Sequence, residues 1–473
     1  TNEIEVRLHK TRKYKKSLSL CDILYRNLVE NSIGRKLGLT PPTTMMSDMI
    51  YPYENGHPDV RLGDDSLFST VEPAPPVEIF ALHKAYHEDK SSQKVDLTIG
   101  AYRDEEGRPW VLPVVRQVEE EITSGQNLSH EYLGQLGLEE LSSAATKLLL
   151  GSDSIALKQG RAFGVQTVGG TGALRVGAEF LVKCAKLKSF YMADPCWPSH
   201  HLVFPYAGFA VCRIYRYWHS MKKCLDIEGL LEDLRDAPPG SVVILHVCAH
   251  NPTGIDPSKD QWMRIADVMQ ERRLFPFFDC AYQGIASGDL EKDAWPVRYF
   301  VSRGLELLCA QSFSKNMGLY SERVGNLTLV FKDPEVIPNV RSHITMVIRG
   351  NYCNPPRHGA GIATRILNDN RLIDDWKKQL KTISIRIKRM RWALRTKLQE
   401  LGTPGDWDHI TRQIGMFCYS GLTEQQVKYL IQQYHIYLPT AGRVNICGLN
   451  DKNVEYVAKA INDAVLTFPS KDI

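Results

Sequence analysis

Leu305-Glu-Leu-Leu-Cys-Ala-Gln-Ser-Phe-Ser-Lys315 is the stretch on which the reading of this chain turns. An apolar, strand-like run ends at Phe313 and leaves a lysine amine just beyond it. Thirty-six residues before that lysine, Leu274-Phe-Pro-Phe-Phe-Asp279 ends in the same way on a carboxylate. An amine can form an imine with an aldehyde, and a carboxylate can hold a proton on a ring nitrogen. A lysine and an acid, each at the end of a buried strand, are what pyridoxal phosphate needs at its two edges.

Working outward, short β-rich runs recur at Gly164–Val168, Phe190–Met192, Val242–Val247, Phe275–Phe278, Leu307–Phe313 and Leu327–Phe331, separated mostly by helical stretches. Such alternation predicts an α/β fold, a mostly parallel sheet covered by helices on both faces. A helical pattern also runs from Pro76 through Ile79, Phe80, Leu82 and Tyr86, and a charged helical stretch covers Ile362–Leu401. Short strands and turns then surround a helix at Glu424–Gln433.

The 473 residues suffice for a large core, and 43% hydrophobic with 24% charged residues excludes a disordered or fibrous chain. Residues 1–40 hold nine Lys and Arg against four Asp and Glu, leaving 49 against 50 in the rest. A near-neutral body gives no reason to expect nucleic acid. Eleven scattered cysteines without metal-type spacing read as reduced thiols, so no metal is expected. No apolar run is long enough to span a bilayer. Residues 1–65 lack sustained periodicity and read as a poorly ordered extension. Their basic His9–Lys16 segment leaves organellar targeting open beside a cytoplasmic location.

Gly169-Gly-Thr-Gly172 follows a strand-like run and precedes the helical run Ala173–Leu187. Glycines there suit an anion at a helix N-terminus, and they suit close strand-to-helix packing equally well. Asp279 reads either as a ligand of the crevice beyond the strands or as a cap. Tyr282 follows it, Arg323 offers a planar fork for phosphate, and Asn251 lies in the turn His250-Asn-Pro-Thr-Gly254. His246 reads first as a core histidine.

Together these motifs resemble the aspartate aminotransferase family, a fold-type I group of pyridoxal-phosphate enzymes, and its cytosolic branch most. The likeness rests on Phe275–Gly284, Ser312–Asn326, His246–Gly254, Gly100-Ala-Tyr-Arg103, His130–Gly137 and Gly442-Arg-Val-Asn445, and spans about 66–468. The resemblance implies that Lys315 carries the cofactor and moves the substrate Cα proton. Asp279 would pair with the ring nitrogen, supported by His200 and His246. Trp197 would stack on the ring, with Asn251 and Tyr282 at its phenolic oxygen. Gly170, Thr171, Ser312 and Arg323 would hold the phosphate, joined by Tyr132 from the other subunit of a homodimer. Lys315, Asp279 and Tyr132 form the implied catalytic set.

Arg443 would pair with the substrate α-carboxylate and Arg349, across the dimer, with the distal one. Gly100, Trp197 and Asn251 would line the same pocket. Two arginines imply dicarboxylic amino and oxo acids, hence transfer of the amino group from L-aspartate to 2-oxoglutarate. The expected organisation is a dimer-swapped arm at 66–76 and a large domain at 111–382. A smaller α+β domain would combine 77–110 with 383–473. Gly169 and Cys353 stand where the family commonly has serine, and Met317 where it has phenylalanine.

Overall fold

The computed structural model describes residues 66, 68–125 and 129–469. The expected N-terminal extension, 1–65, therefore lies outside the described residues, as do the last four residues of the expected small domain. Residues from Pro73 onward form one compact unit.

Its centre is a seven-stranded sheet: β1 (Ala162–Val168), β2 (Ser189–Asp194), β3 (Val211–Arg216), β4 (Val242–His246), β5 (Phe275–Cys280), β6 (Leu307–Ser312) and β7 (Val324–Val330), in the order β1-β7-β6-β5-β4-β2-β3. The four pairings from β6 to β3 are parallel, and β7 runs antiparallel to both of its neighbours. Every residue of β6 and β7 is buried. Side chains alternate between two cores: Leu307 and Cys309 face one, Leu308 and Ala310 the other. That two-sided burial is why these strands read as continuous apolar runs.

Topology decides what reaches the site. The parallel strands β4, β5 and β6 deliver their carboxyl ends, His246, Asp279 and Ser312, to one edge of the sheet. In the ladder His246 lies opposite Asp279, and Asp279 opposite Ala310. Because β7 is reversed, its beginning lies at that edge, so Arg323 arrives before a strand rather than after one. Ser312 pairs with Gly325, and Val168 at the end of β1 pairs with Val324.

The helix expected at Ala173–Leu187 begins earlier and spans Gly169–Lys183. Its glycines form the first turn instead of leading into it. The Ile362–Leu401 stretch becomes two helices, His358–Leu367 and Asn370–Glu400. Asp369 caps the second by accepting from the N–H groups of Arg371 and Leu372. Buried Leu372, Trp376, Leu380, Ile383, Ile387, Met390, Leu394 and Leu398 follow the three-to-four spacing of one helix face. This helix runs without interruption through position 382, the end expected for the large domain. Two short ladders complete the part near the chain's end: Val95–Asp96 beside Ile436–Tyr437, and Phe417–Tyr419 antiparallel to Arg443–Asn445.

Candidate active site

At the sheet edge Asp279 is buried, and its Oδ2 accepts from His200 Nε2 at 3.0 Å, with His246 Nε2 at 3.8 Å. Burial alone raises this carboxyl. The His200 hydrogen bond and the charges of His246, His200 and Lys315 outweigh it and hold the group below its ordinary range. Burial pulls His246 down to about 4, against the opposing pull of Asp279. The Asn251 backbone N–H donates to Nδ1 of His246 at 3.0 Å, so the ring proton sits on Nε2, facing the carboxylate. His200, His246 and Asp279 lie close enough to ligate a metal ion. Yet ligation through Nε2 of His246 would require removing that proton, so the cluster suits a hydrogen-bonded carboxylate better than a cation.

Lys315 lies past β6, with its Nζ 5.5 Å from the centre of the Tyr282 ring. Burial lowers its pKa; Asp279 opposes that shift, while Arg323 and Arg443 add to it. The mutual influence places amine and carboxylate in one electrostatic neighbourhood and favours the neutral, nucleophilic amine.

Beside them lies a cradle built from absent side chains. Gly169 has φ +67°, and a Cβ there would come within 2.5 Å of Arg323 Nη2. A Cβ on Gly170 would come within 2.9 Å of Ser312 Cβ. The N–H groups of Gly170, Thr171 and Gly172 open the helix Gly169–Lys183 and lack intrahelical acceptors. Arg323 donates to Ser314 Oγ at 3.3 Å and to the Tyr320 carbonyl at 3.0 Å. Free N–H groups, a guanidinium and hydroxyls suit a phosphate, and the lysine and the acid suit the two ring edges. The donor set fits pyridoxal phosphate. Trp197 stands half-buried with its ring against His200 at 5.3 Å.

Arg443 enters from the short ladder, buried and with burial lowering its pKa. It donates from Nη2 to the Thr98 carbonyl at 2.6 Å and from Nη1 to Asn251 Oδ1 at 3.4 Å. Its Nε, also buried, has no partner among the described residues. Among the described residues no carboxylate forms an ion pair with it. A buried guanidinium without a counter-charge is costly, and an anionic ligand relieves it. Asn251 Nδ2 in turn faces Tyr282 Oη at 3.4 Å.

Two residues that the sequence left unmarked, Phe417 and Arg391, complete this end. Phe417 underlies Arg443, with the guanidinium carbon 4.2 Å from the ring centre. Gly100 makes room for that ring, since a Cβ would come within 2.6 Å of Phe417 Cζ. Behind both, buried Arg391 of the long helix donates to the carbonyls of Ile410, Gly415 and Phe417. Phe417 lacks any local signal, because it is defined by a glycine more than three hundred residues away. Tyr132 and Arg349 are not gathered here. Tyr132 is 82% exposed, and exposed Arg349 directs Nη1 at Cys353 Sγ, 2.6 Å away.

Residues 92–461 match the family described as aminotransferase class I and II. The chain belongs to that family. This aminotransferase is 53% identical over 405 residues to the cytoplasmic aspartate aminotransferase of Gallus gallus, covering 85% of this chain and 98% of that one. It superimposes on the cytoplasmic aspartate aminotransferase of Saccharomyces cerevisiae with a TM-score of 0.83 at 44% identity, covering 85% and 99% of the two chains. An aromatic-amino-acid aminotransferase of Burkholderia pseudomallei, covalently bound to pyridoxal phosphate, gives 0.82 at 38% identity, covering 85% and 100%. The fold is that of a fold-type I aminotransferase. Among the described residues, no helix is long and apolar enough to cross a membrane.

Proposed function

We propose that the protein is a pyridoxal-phosphate-dependent aspartate aminotransferase, moving the amino group of L-aspartate to 2-oxoglutarate by a ping-pong route to give oxaloacetate and L-glutamate. The observation that carries this reading is Arg443: a buried guanidinium with an unpartnered Nε, beside Asn251 and in the electrostatic neighbourhood of Lys315. The identity to the Gallus gallus enzyme supports the substrate choice.

Pyridoxal phosphate, when bound, supplies the electron sink for the charge left when the substrate Cα proton departs. The chain supplies the rest. Gly170, Thr171, Ser312 and Arg323 hold the phosphate group. Asp279, kept anionic by His200, retains the proton on the ring nitrogen. Trp197 covers one face of the ring, and Asn251 with Tyr282 bonds its phenolic oxygen. Lys315 carries the cofactor and then moves the proton at the substrate Cα. Arg443 binds the α-carboxylate, on a platform whose shape Gly100 permits.

The reading includes a homodimer in which Tyr132 and Arg349 of the partner subunit reach this site, the latter for the distal carboxylate. It also includes an arm at 66–76, a large domain at 111–382, a small domain from 77–110 and 383–473, and a cytoplasmic location. The high exposure of Tyr132 and Arg349 supports the shared site. Sedimentation of the purified protein should give a dimer, and a monomer with full activity would refute sharing.

A half-reaction screen followed by the cofactor's spectral change tests substrate and cofactor together. Aspartate, glutamate and cysteine sulfinate should react well, and phenylalanine poorly. A preference for phenylalanine would favour the second reading, an aromatic or broad-specificity aminotransferase, to which the similarity with the Burkholderia pseudomallei structure lends support. Borohydride reduction followed by peptide mass analysis should find the cofactor on Lys315. Cofactor fixed on another lysine would remove the assignment.

A further inference from the structure

The helix Glu78–Glu88 carries His83 and His87 one turn apart, so both rings share a face. The aminotransferase chemistry uses neither. Nδ1 of His83 lies 3.2 Å from Asp96 Oδ2. A carboxylate can only accept, so that nitrogen carries the ring proton and Nε2 presents its lone pair. His87 brings its own Nε2 to 3.1 Å from that of His83.

Two nitrogens about 2.0–2.1 Å from a single ion, separated by the angles of tetrahedral or octahedral coordination, stand about 2.9–3.4 Å apart. The observed spacing falls within that interval. The ring centres are only 4.4 Å apart with the planes at 89°. Rings meeting head-on across a hydrogen bond of this length would hold their centres farther apart, so the two rings are angled to the line between their nitrogens.

Asp96 stands where a carboxylate supports a metal-bound histidine, fixing its tautomer and raising its basicity. It is itself held firmly. Its Oδ1 accepts from the Thr98 N–H at 2.9 Å and from the Thr98 hydroxyl, and Arg103 Nη2 reaches Oδ2 at 3.2 Å. The Asp96 side chain is 6% exposed and that of His83 27%, while His87 faces solvent. The open side leaves room for water ligands.

The geometry points to a binding site for a divalent transition cation on this helix, with His83 and His87 as ligands and Asp96 behind His83. Imidazole pairs select zinc, copper or nickel over magnesium and calcium. The site is separate from the cofactor crevice, yet it shares a brace with it: Thr98, tied to Asp96, also accepts from Arg443.

Calorimetric titration of the holoenzyme with Ni2+ alone tests this. Wild type should show a micromolar class of site that His87→Gln or His83→Gln weakens at least tenfold. Asp96→Asn should weaken it about tenfold through loss of the supporting carboxylate. His358→Gln, at an exposed histidine elsewhere, should leave it unchanged. His87 is exposed, so its variant should keep the wild-type melting temperature and test the ligand rather than the fold. Wild type that binds Ni2+ only at millimolar concentration would overturn the site. So would micromolar binding that persists in His87→Gln, or that His358→Gln weakens as much as His87→Gln does.

Discussion

Arg443 and Arg349 carry the same guanidinium into opposite settings. Arg443 is buried on the Phe417 ring, held by carbonyl and amide oxygens, with its Nε left without a partner among the described residues. Arg349 stands in the last turn of the helix Ile337–Asn351, exposed, with its Nη1 directed at the Cys353 sulfur. The first site has met the cost of desolvation before any ligand arrives. The second still has its water, and it needs another surface before it can discriminate strongly. On the proposed roles, only one of the two grips for a dicarboxylate is complete within one chain.

Substitutions should separate the two settings. Arg443→Ala should cause the largest loss, about 30–5,000-fold in kcat/KM for every amino acid, because truncating one member of a buried charged pair costs about 2–5 kcal/mol. Steady-state kinetics on aspartate and phenylalanine reads this out, and a loss confined to aspartate would contradict a role at the α-carboxylate. Arg349→Ala should lower kcat/KM for aspartate and glutamate about 100-fold while sparing phenylalanine, a lost charged hydrogen bond costing about 1.5–3 kcal/mol. Equal losses on all three substrates would erase the contrast.

Gly100→Ala acts on the buried setting indirectly, by pushing a methyl group into Phe417. An increase in the aspartate KM of about tenfold is expected from a typical overpacking cost of about 1–3 kcal/mol, with cofactor absorbance unchanged. Cys353→Ser should have the smallest effect, a change of about threefold or less in dicarboxylate KM, as is usual for exposed polar contacts. A larger change would mean that the sulfur orients Arg349 more firmly than its exposure implies.

What the sequence reveals follows the same division between buried and exposed. β5 and β6 are legible because burial on both faces makes them unbroken apolar runs, and their ends mark Asp279 and Lys315. β3, at the sheet's edge, is missed: Val-Cys-Arg-Ile-Tyr-Arg is mostly exposed and lacks such a run. The reversal of β7 is also hidden, since periodicity carries no direction. The helix at Glu78–Glu88 is found from Ile79, Phe80, Leu82 and Tyr86, yet none of its residues is buried in the single chain, and Phe80 is 67% exposed. The His83–His87 spacing is visible in the sequence, but Asp96 joins it only through the fold. Gly100 emerges from the resemblance; Phe417, its physical reason, requires coordinates.

Arg391 extends this further. Through its three carbonyl contacts, the seat of Arg443 is anchored to the helix Asn370–Glu400, whereas Lys315 and Asp279 ride on the central sheet. On the proposed roles, binding of the substrate's carboxylate and removal of its Cα proton are thus mounted on separate elements. A tilt of that helix by a few degrees would change the enzyme's reach for amino acids of different length without altering a single residue that touches them.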